Sequence, residues 1–164
     1  MAKVVYMTKN SYNNLMQELE KLQLELRTTV AKEIGTAMAH GDLRENAEYE
    51  AAKAKQRQYA LRMEELTGML GVSSLIEDLQ ISGKSVSVGT RVTLFNLATA
   101  EEVVYNILGE GDGDIKKSII SYKTPIAQQM MIKERGDVAV IKVPAGTERF
   151  MIKKVEKIFQ RRRN

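Results

Sequence analysis

His40-Gly41-Asp42-Leu43-Arg44-Glu45-Asn46-Ala47-Glu48-Tyr49 marks the place where one long helical pattern stops and a second begins. Before it, Tyr12, Leu15, Leu19, Leu22 and Leu26 recur at spacings of three and four. Val30, Ile34 and Ala37 continue that stripe after a shift near Thr29 and Glu33 that reads as a stutter. After it, Tyr49, Ala52, Gln56, Tyr59, Met63, Leu66 and Leu70 alternate at three and four, an a/d heptad seam. Gly41 is the break between the two, and residues 1–80 contain no proline. Two heptad helices joined by so short a tip fold back as an antiparallel hairpin. With roughly 30 residues per arm at 1.5 Å each, the rod is about 45 Å long. Thr8 is placed to cap its start, with Met7 and Tyr12 at the two positions of a hydrophobic staple.

Beyond Ser82-Gly83-Lys84 the apolar period falls to two. Val86 with Val88, Val92-Thr93-Leu94-Phe95, and Val103-Val104-Tyr105-Asn106-Ile107-Leu108 predict strands, as does Ile119-Ile120-Ser121-Tyr122. The glycine-rich 109–114 segment alternates acids without an EF-hand pattern and predicts a hairpin loop. Thr124-Pro125 starts a short helix over 126–133. Val138-Ala139-Val140-Ile141-Lys142-Val143 and 149–155 form a last pair of strands across Pro144-Ala145-Gly146. The fold class is α+β. The expected layout is an antiparallel α-helical coiled-coil hairpin over 1–78, a linker at 79–84, a small, mostly antiparallel sheet domain with one helix over 85–159, and a basic tail at 160–164.

Composition excludes several classes. Of the 164 residues, 43% are hydrophobic and 28% charged, too apolar for a disordered chain. The longest run without Asp, Glu, Lys or Arg is 66–76, far short of the roughly 20 residues of a membrane span. The opening residues carry no apolar core of a secretory signal, so a cytoplasmic protein is expected; it is further expected to be a monomer without membrane contact. Zero cysteines and a single histidine, His40, leave no thiolate or multi-histidine metal site within one chain. Residues 1–80 carry 10 basic and 12 acidic side chains, and residues 81–164 carry 15 and 9. The basic second half suits nucleic acid or an acidic protein surface.

The chemistry-bearing residues lie at the tip. Asp42 and Glu45, three apart, share one side of the second helix's first turn. That spacing is also a capping box, favoured by the helix dipole, and spacing alone leaves both readings open. As a ligand pair, two carboxylates without thiolates or imidazoles suit Mg²⁺, which takes one or two acids and keeps several waters. Delivered to another enzyme, such a pair completes a two-metal site for phosphodiester hydrolysis. Lys53, Lys55, Arg57 and Arg62 on the second helix are candidates for steering RNA phosphates, or else a solvated helix face.

Gly-Asp-Leu-Arg-Glu-Asn-Ala-Glu-Tyr at 41–49 resembles the tip signature of the bacterial Gre transcript cleavage factors, in wording nearer the GreA than the GreB branch. The likeness extends through Val88-Gly89-Thr90-Arg91-Val92, Val104-Tyr105-Asn106-Ile107-Leu108-Gly109, Ser121-Tyr122-Lys123-Thr124-Pro125-Ile126-Ala127 and Lys133-Glu134-Arg135-Gly136-Asp137-Val138. The resemblance implies an FKBP-like second domain that docks at the rim of the secondary channel of bacterial RNA polymerase while the coiled coil enters the channel. It implies that Asp42 and Glu45 help hold Mg²⁺ and an attacking water at the polymerase active site, so that backtracked nascent RNA is cut near its 3′ end. Arg44, Asn46 and Tyr49 are the supporting tip residues. On this reading the chain is not an enzyme by itself and binds no cofactor alone. Two rivals stand beside it: a channel-binding inhibitor of the polymerase with the same architecture, against which the intact acid pair stands, and a peptidyl-prolyl isomerase or chaperone, suggested by the FKBP-like half alone. Among aromatics, residues 81–164 hold Phe95, Tyr105, Tyr122, Phe150 and Phe159 and no Trp, which is poor material for an aromatic-lined peptide pocket.

Overall fold

The computed structural model describes residues 3–41 and 43–160, without the side chains of residues 40 and 43–45. The chain forms two compact units, one of Tyr12–Val72 and one that joins Met1–Ser11 to Ser73–Asn164.

The first unit is the helical hairpin. Helix α1 (Lys9–Glu25) runs into a π-helical turn (Leu26–Val30) and continues as α2 (Ala31–His40), and α3 (Leu43–Gly71) returns. The π-turn accounts for the shift read in the sequence. From Leu22 the stripe steps four to Leu26 and four again to Val30, one residue more than heptad alternation allows. A turn closed by i→i+5 bonds holds one extra residue, so Val30 still faces inward at 1% exposure. Every residue of both stripes is buried or half-buried. Full burial is confined to Val30, Ala37, Ala52 and Leu66, because two helices cover only one side of each seam. Gly41 ends α2 in the left-handed region, at φ 76, where a side chain would be strained.

The second unit is built on a five-stranded sheet. Its strands are β3 (Thr90–Asn96), β4 (Glu102–Leu108), β5 (Ile119–Ser121), β6 (Val138–Val143) and β7 (Gly146–Lys157), in the order β5-β4-β3-β7-β6. Neighbours are antiparallel except β4 and β5, which are parallel. Alternation along β3 and β6 turns Val92, Leu94, Ala139 and Ile141 to one face, where Ile107, Phe150 and Ile152 join them. Helix α4 (Pro125–Met130) lays Ala127 and Met130 on that face. Thr124 caps α4 by accepting the Ala127 N–H, with Pro125 in the first turn.

Several expectations change. No hairpin forms across 109–114; the chain passes through a 3₁₀ turn (Ile115–Lys117) and brings β5 parallel to β4. Val86 and Val88 form no strand. The Val86 N–H donates to the Lys133 carbonyl at 2.8 Å and the side chain enters the core. Helix α4 stops at Met130 instead of 133, since Ile132 turns left-handed (φ 63) and donates its N–H to Val86 O.

A further pairing was not legible at all. Strand β1 (Val5–Met7) lies parallel to β2 (Ser73–Leu75), with Val5 opposite Ser73. Here α1 begins, and no acid occupies its first turn. Thr8 caps it locally, as the sequence predicts, and distant segments add further bonds. Asp112 accepts from the Thr8 N–H at 3.3 Å, from Thr8 Oγ1 at 2.7 Å and from Ser11 Oγ. Glu77 accepts the Lys9 N–H at 2.7 Å, and Thr8 Oγ1 accepts the Ser11 N–H. Asp112 also takes the Gly109 N–H at 2.9 Å, which closes its own loop.

Candidate functional site: the hairpin tip

Two residues, Gly41 and Asp42, separate α2 from α3, so the acidic sequence sits where the hairpin reverses. Asp42 lies outside the described residues. Glu45 and Arg44 belong to the first turn of α3, with only their backbone described. Asn46 is exposed and Tyr49 half-buried on the seam. Asp42, Glu45 and Asn46 offer carboxylate and amide oxygens, a hard donor set that fits part of a Mg²⁺ shell and leaves the rest to water or a partner.

The four cations of α3 do not make one patch. Lys53 and Arg57, four residues apart, share a face; Arg57 is exposed and Lys53 donates to Gln56 at 3.0 Å. Lys55 reaches across to Glu33 of α2 at 3.4 Å. Arg62 grips Glu18 of α1 with two bonds, Nε at 2.7 Å and Nη2 at 3.1 Å, and reaches Glu65 at 3.0 Å. Tyr59 donates its hydroxyl to Glu25 at 2.8 Å, and that bond raises its pKa. The acids Glu18, Glu25 and Glu33 on the first arm therefore staple it to the second. They flank the apolar stripe, the signal by which a sequence reading finds such partners. Where Ala37, Ala51 and Ala52 meet, small side chains leave a groove of about 500 Å³ between α2 and α3.

The hydrogen bonds from Arg62 hold the Glu18 carboxyl below its ordinary 4.5. A lowered folded value stabilises the hairpin above about pH 4.5 and is lost as pH falls through it. Both side chains are 39% exposed, so solvent screens most of the gain. Arg62→Met is expected to cost about 0.5–1 kcal/mol at pH 7 and less at pH 3. Urea unfolding at both pH values checks this; an equal loss at both would assign the effect to packing of the arginine stem.

The chain is thus a two-unit factor: a helical hairpin with an acidic sequence at its turn, and a unit built on one mostly antiparallel sheet. Residues 5–74 match the family described as Transcription elongation factor, N-terminal, and residues 81–157 match Transcription elongation factor, GreA/GreB, C-term. Transcription elongation factor GreA of Desulfotalea psychrophila is 42% identical over 142 residues, covering 87% of this chain and 88% of its own. That of Trichlorobacter lovleyi is 38% identical over 152 residues, 93% and 96% of the two chains. The crystal structure of the GreA factor homolog 1 protein of Thermus thermophilus aligns with 94% of this chain and 99% of its own at 22% identity, with a TM-score of 0.42. The chain belongs to the GreA/GreB family of transcription elongation factors. Among the described residues, no helix is long and apolar enough to cross a membrane.

Proposed function

We propose that this chain enters the secondary channel of bacterial RNA polymerase with its hairpin and stimulates endonucleolytic cleavage of backtracked RNA, so that stalled complexes resume from a new 3′ end. The observation that carries the reading is the two-residue reversal between α2 and the 29-residue α3, which puts the Asp42–Tyr49 sequence at the end of a long arm. The chain contributes groups to the polymerase's own active site and is not an enzyme alone. Asp42 and Glu45 supply carboxylate oxygens toward Mg²⁺; when bound, the ion lowers the pKa of its water and offsets phosphate charge. Arg44 faces the same charge as a cation, and Asn46 orients water through its amide. Tyr49, half-buried on the seam, braces the turn that carries them. Lys53 and Arg57 attract the extruded RNA. Lys55 and Arg62 carry the same charge but are already neutralised by Glu33 and Glu18. The sheet unit, with its basic sequence, docks outside the channel.

The test adds the full chain to a stalled, backtracked bacterial transcription complex with Mg²⁺ and follows short 3′ RNA products. Release of those products and renewed extension are expected. Slowed extension without cleavage would establish the inhibitor instead.

A further inference from the structure

We propose that the free edge of β6 is a strand-addition site for a second copy of this chain, which pairs with it antiparallel about Ala139. The site lies wholly in the sheet unit and stands apart from the cleavage reading, whose residues belong to the hairpin. Strand β6 is the last in the order β5-β4-β3-β7-β6, so only its β7 side is paired. Val143 closes the hairpin opposite Gly146, and just before β6 the Ile152 N–H donates to the Asp137 carbonyl at 2.8 Å. Bonded and non-bonded pairs alternate in an antiparallel ladder, so the odd residues of β6 bond to β7. Val138, Val140 and Lys142 therefore turn their N–H and C=O groups outward. Lys142 shows that direction, because its N–H leaves the sheet for Gln129 Oε1 of α4 at 3.0 Å. Among the described residues, nothing bonds to the outward groups of Val138 or Val140.

The residues along this edge select the occupant. Native edges are normally blocked by charge, proline or a bulge. Val138 and Val140 are instead apolar, 43% and 47% exposed, and the irregularity of the sheet falls away from them, between β3 and β7. A two-fold axis at Ala139 sets Val138 opposite Val140 of the second copy, and Val140 opposite its Val138. The groups left free at the edge then bond to one another, and the valines meet on one face of the joined sheet. Lys142 comes opposite Gly136 of the second copy. Gly136 has φ +93 and open space around it, which leaves room for Gln129 and the lysine stem. The turn that carries it, Glu134-Arg135-Gly136-Asp137, is exposed and holds two acids to one base, so each Lys142 meets an acidic turn. One pair of short edges buries less than the roughly 1,000 Å² of a stable interface, so the pairing is weak and depends on concentration.

The test follows the full chain by sedimentation equilibrium from about 1 μM to about 1 mM, with amide exchange read at both ends of the range. A monomer at the low end and a dimer with a dissociation constant on the order of 0.1 mM are expected. Exchange of the Val138 and Val140 amides is expected to slow only at the high end. Val140→Pro removes an outward N–H at an edge position that tolerates proline; it is expected to melt near wild type while dimerisation weakens about tenfold or more. Val140→Lys keeps the backbone and sets a charge on the edge, with the same expected loss, and covers the case in which the proline variant unfolds. Lys142→Glu is expected to weaken the dimer about fivefold, and Glu134→Lys in the same protein to restore it, since charges that face each other rescue each other. A chain that stays monomeric at about 1 mM, or a dimer that both Val140 variants leave intact, would overturn the proposal. So would slowed exchange of the two amides that appears only when polymerase is added, which would give the edge to a strand of that partner.

Discussion

Asp42→Asn is expected to leave the protein folded and bound to polymerase while RNA cleavage falls by on the order of 10² or more. Asp42 directly precedes the first residue of α3, the place where a helix takes its N-cap, and Asn caps about as well as Asp. The substitution keeps the size and the hydrogen-bonding oxygen and removes one negative charge. A neutral amide is a poorer ligand for a hard divalent cation, so the loss falls on the metal-assisted step. Glu45→Gln is expected to behave alike, because Gln also completes a capping box. Stability should change by less than about 1 kcal/mol in either variant. The measurements are thermal unfolding, polymerase affinity and single-turnover cleavage at one Mg²⁺ concentration. Wild-type cleavage by a folded Asp42→Asn protein would leave the acids as helix caps and end the proposed mechanism.

Gly109→Ala carries the largest expected effect on stability. The residue is buried, and a methyl group there would overlap the Tyr6 carbonyl oxygen and sit 2.8 Å from Met7 Cα and 2.9 Å from Asp112 Oδ2. Two of those atoms are strand backbone and the third belongs to a carboxylate that accepts four hydrogen bonds, so none can yield cheaply. A loss of about 3 kcal/mol is expected, with a melting temperature lower by roughly 6–12 °C. Gly111→Ala in the same loop is the control. Gly111 has φ +85 but open space around it, so only backbone strain of about 1–2 kcal/mol applies. Denaturant unfolding of both variants decides the matter. Equal losses at 109 and 111 would mean that the β1 contact contributes nothing.

The hairpin was legible because its information is local. A 3–4 stripe interrupted by one glycine specifies two helices and their facing sides, and even the one-residue excess at Val30 was visible as a shift. The strands from Thr90 to Leu108 and from Val138 to Val143 were legible for the same reason, as period-two alternation. What escaped depends on partners far away in sequence. Val5–Met7 is too short to show a period, and it becomes a strand only because Ser73–Leu75 lies beside it. The 109–114 loop resembled a hairpin turn because its glycines and acids are turn residues. Its true course follows from Asp112 bonding to Thr8 and Ser11, about a hundred positions away. At the tip, residue types and spacing were plain from the sequence, together with the capping alternative that the same spacing permits. The pairing of Arg62 with Glu18 and of Lys55 with Glu33 was not, since it depends on how the two arms align.

The parallel pairing of Val5–Met7 with Ser73–Leu75 also bears on how the chain folds and how it can vary. Were the intervening chain a flexible loop, bringing residue 73 back beside residue 5 would cost roughly 4 kcal/mol of closure entropy for its 73 − 5 = 68 steps. A hairpin zipped from its own local contacts returns its ends side by side, so most of that entropy is spent before the two strands meet. The helices are then expected to form first and the pairing of β1 to follow, a contact of high sequence separation made late. The hairpin thus behaves as an insertion whose two ends are held about one strand spacing apart, near 4.8 Å. Equal numbers of heptads added to or taken from both arms bring those ends back to the same place. Arm length is a dimension along which such a chain can change while the sheet and its core stay as they are.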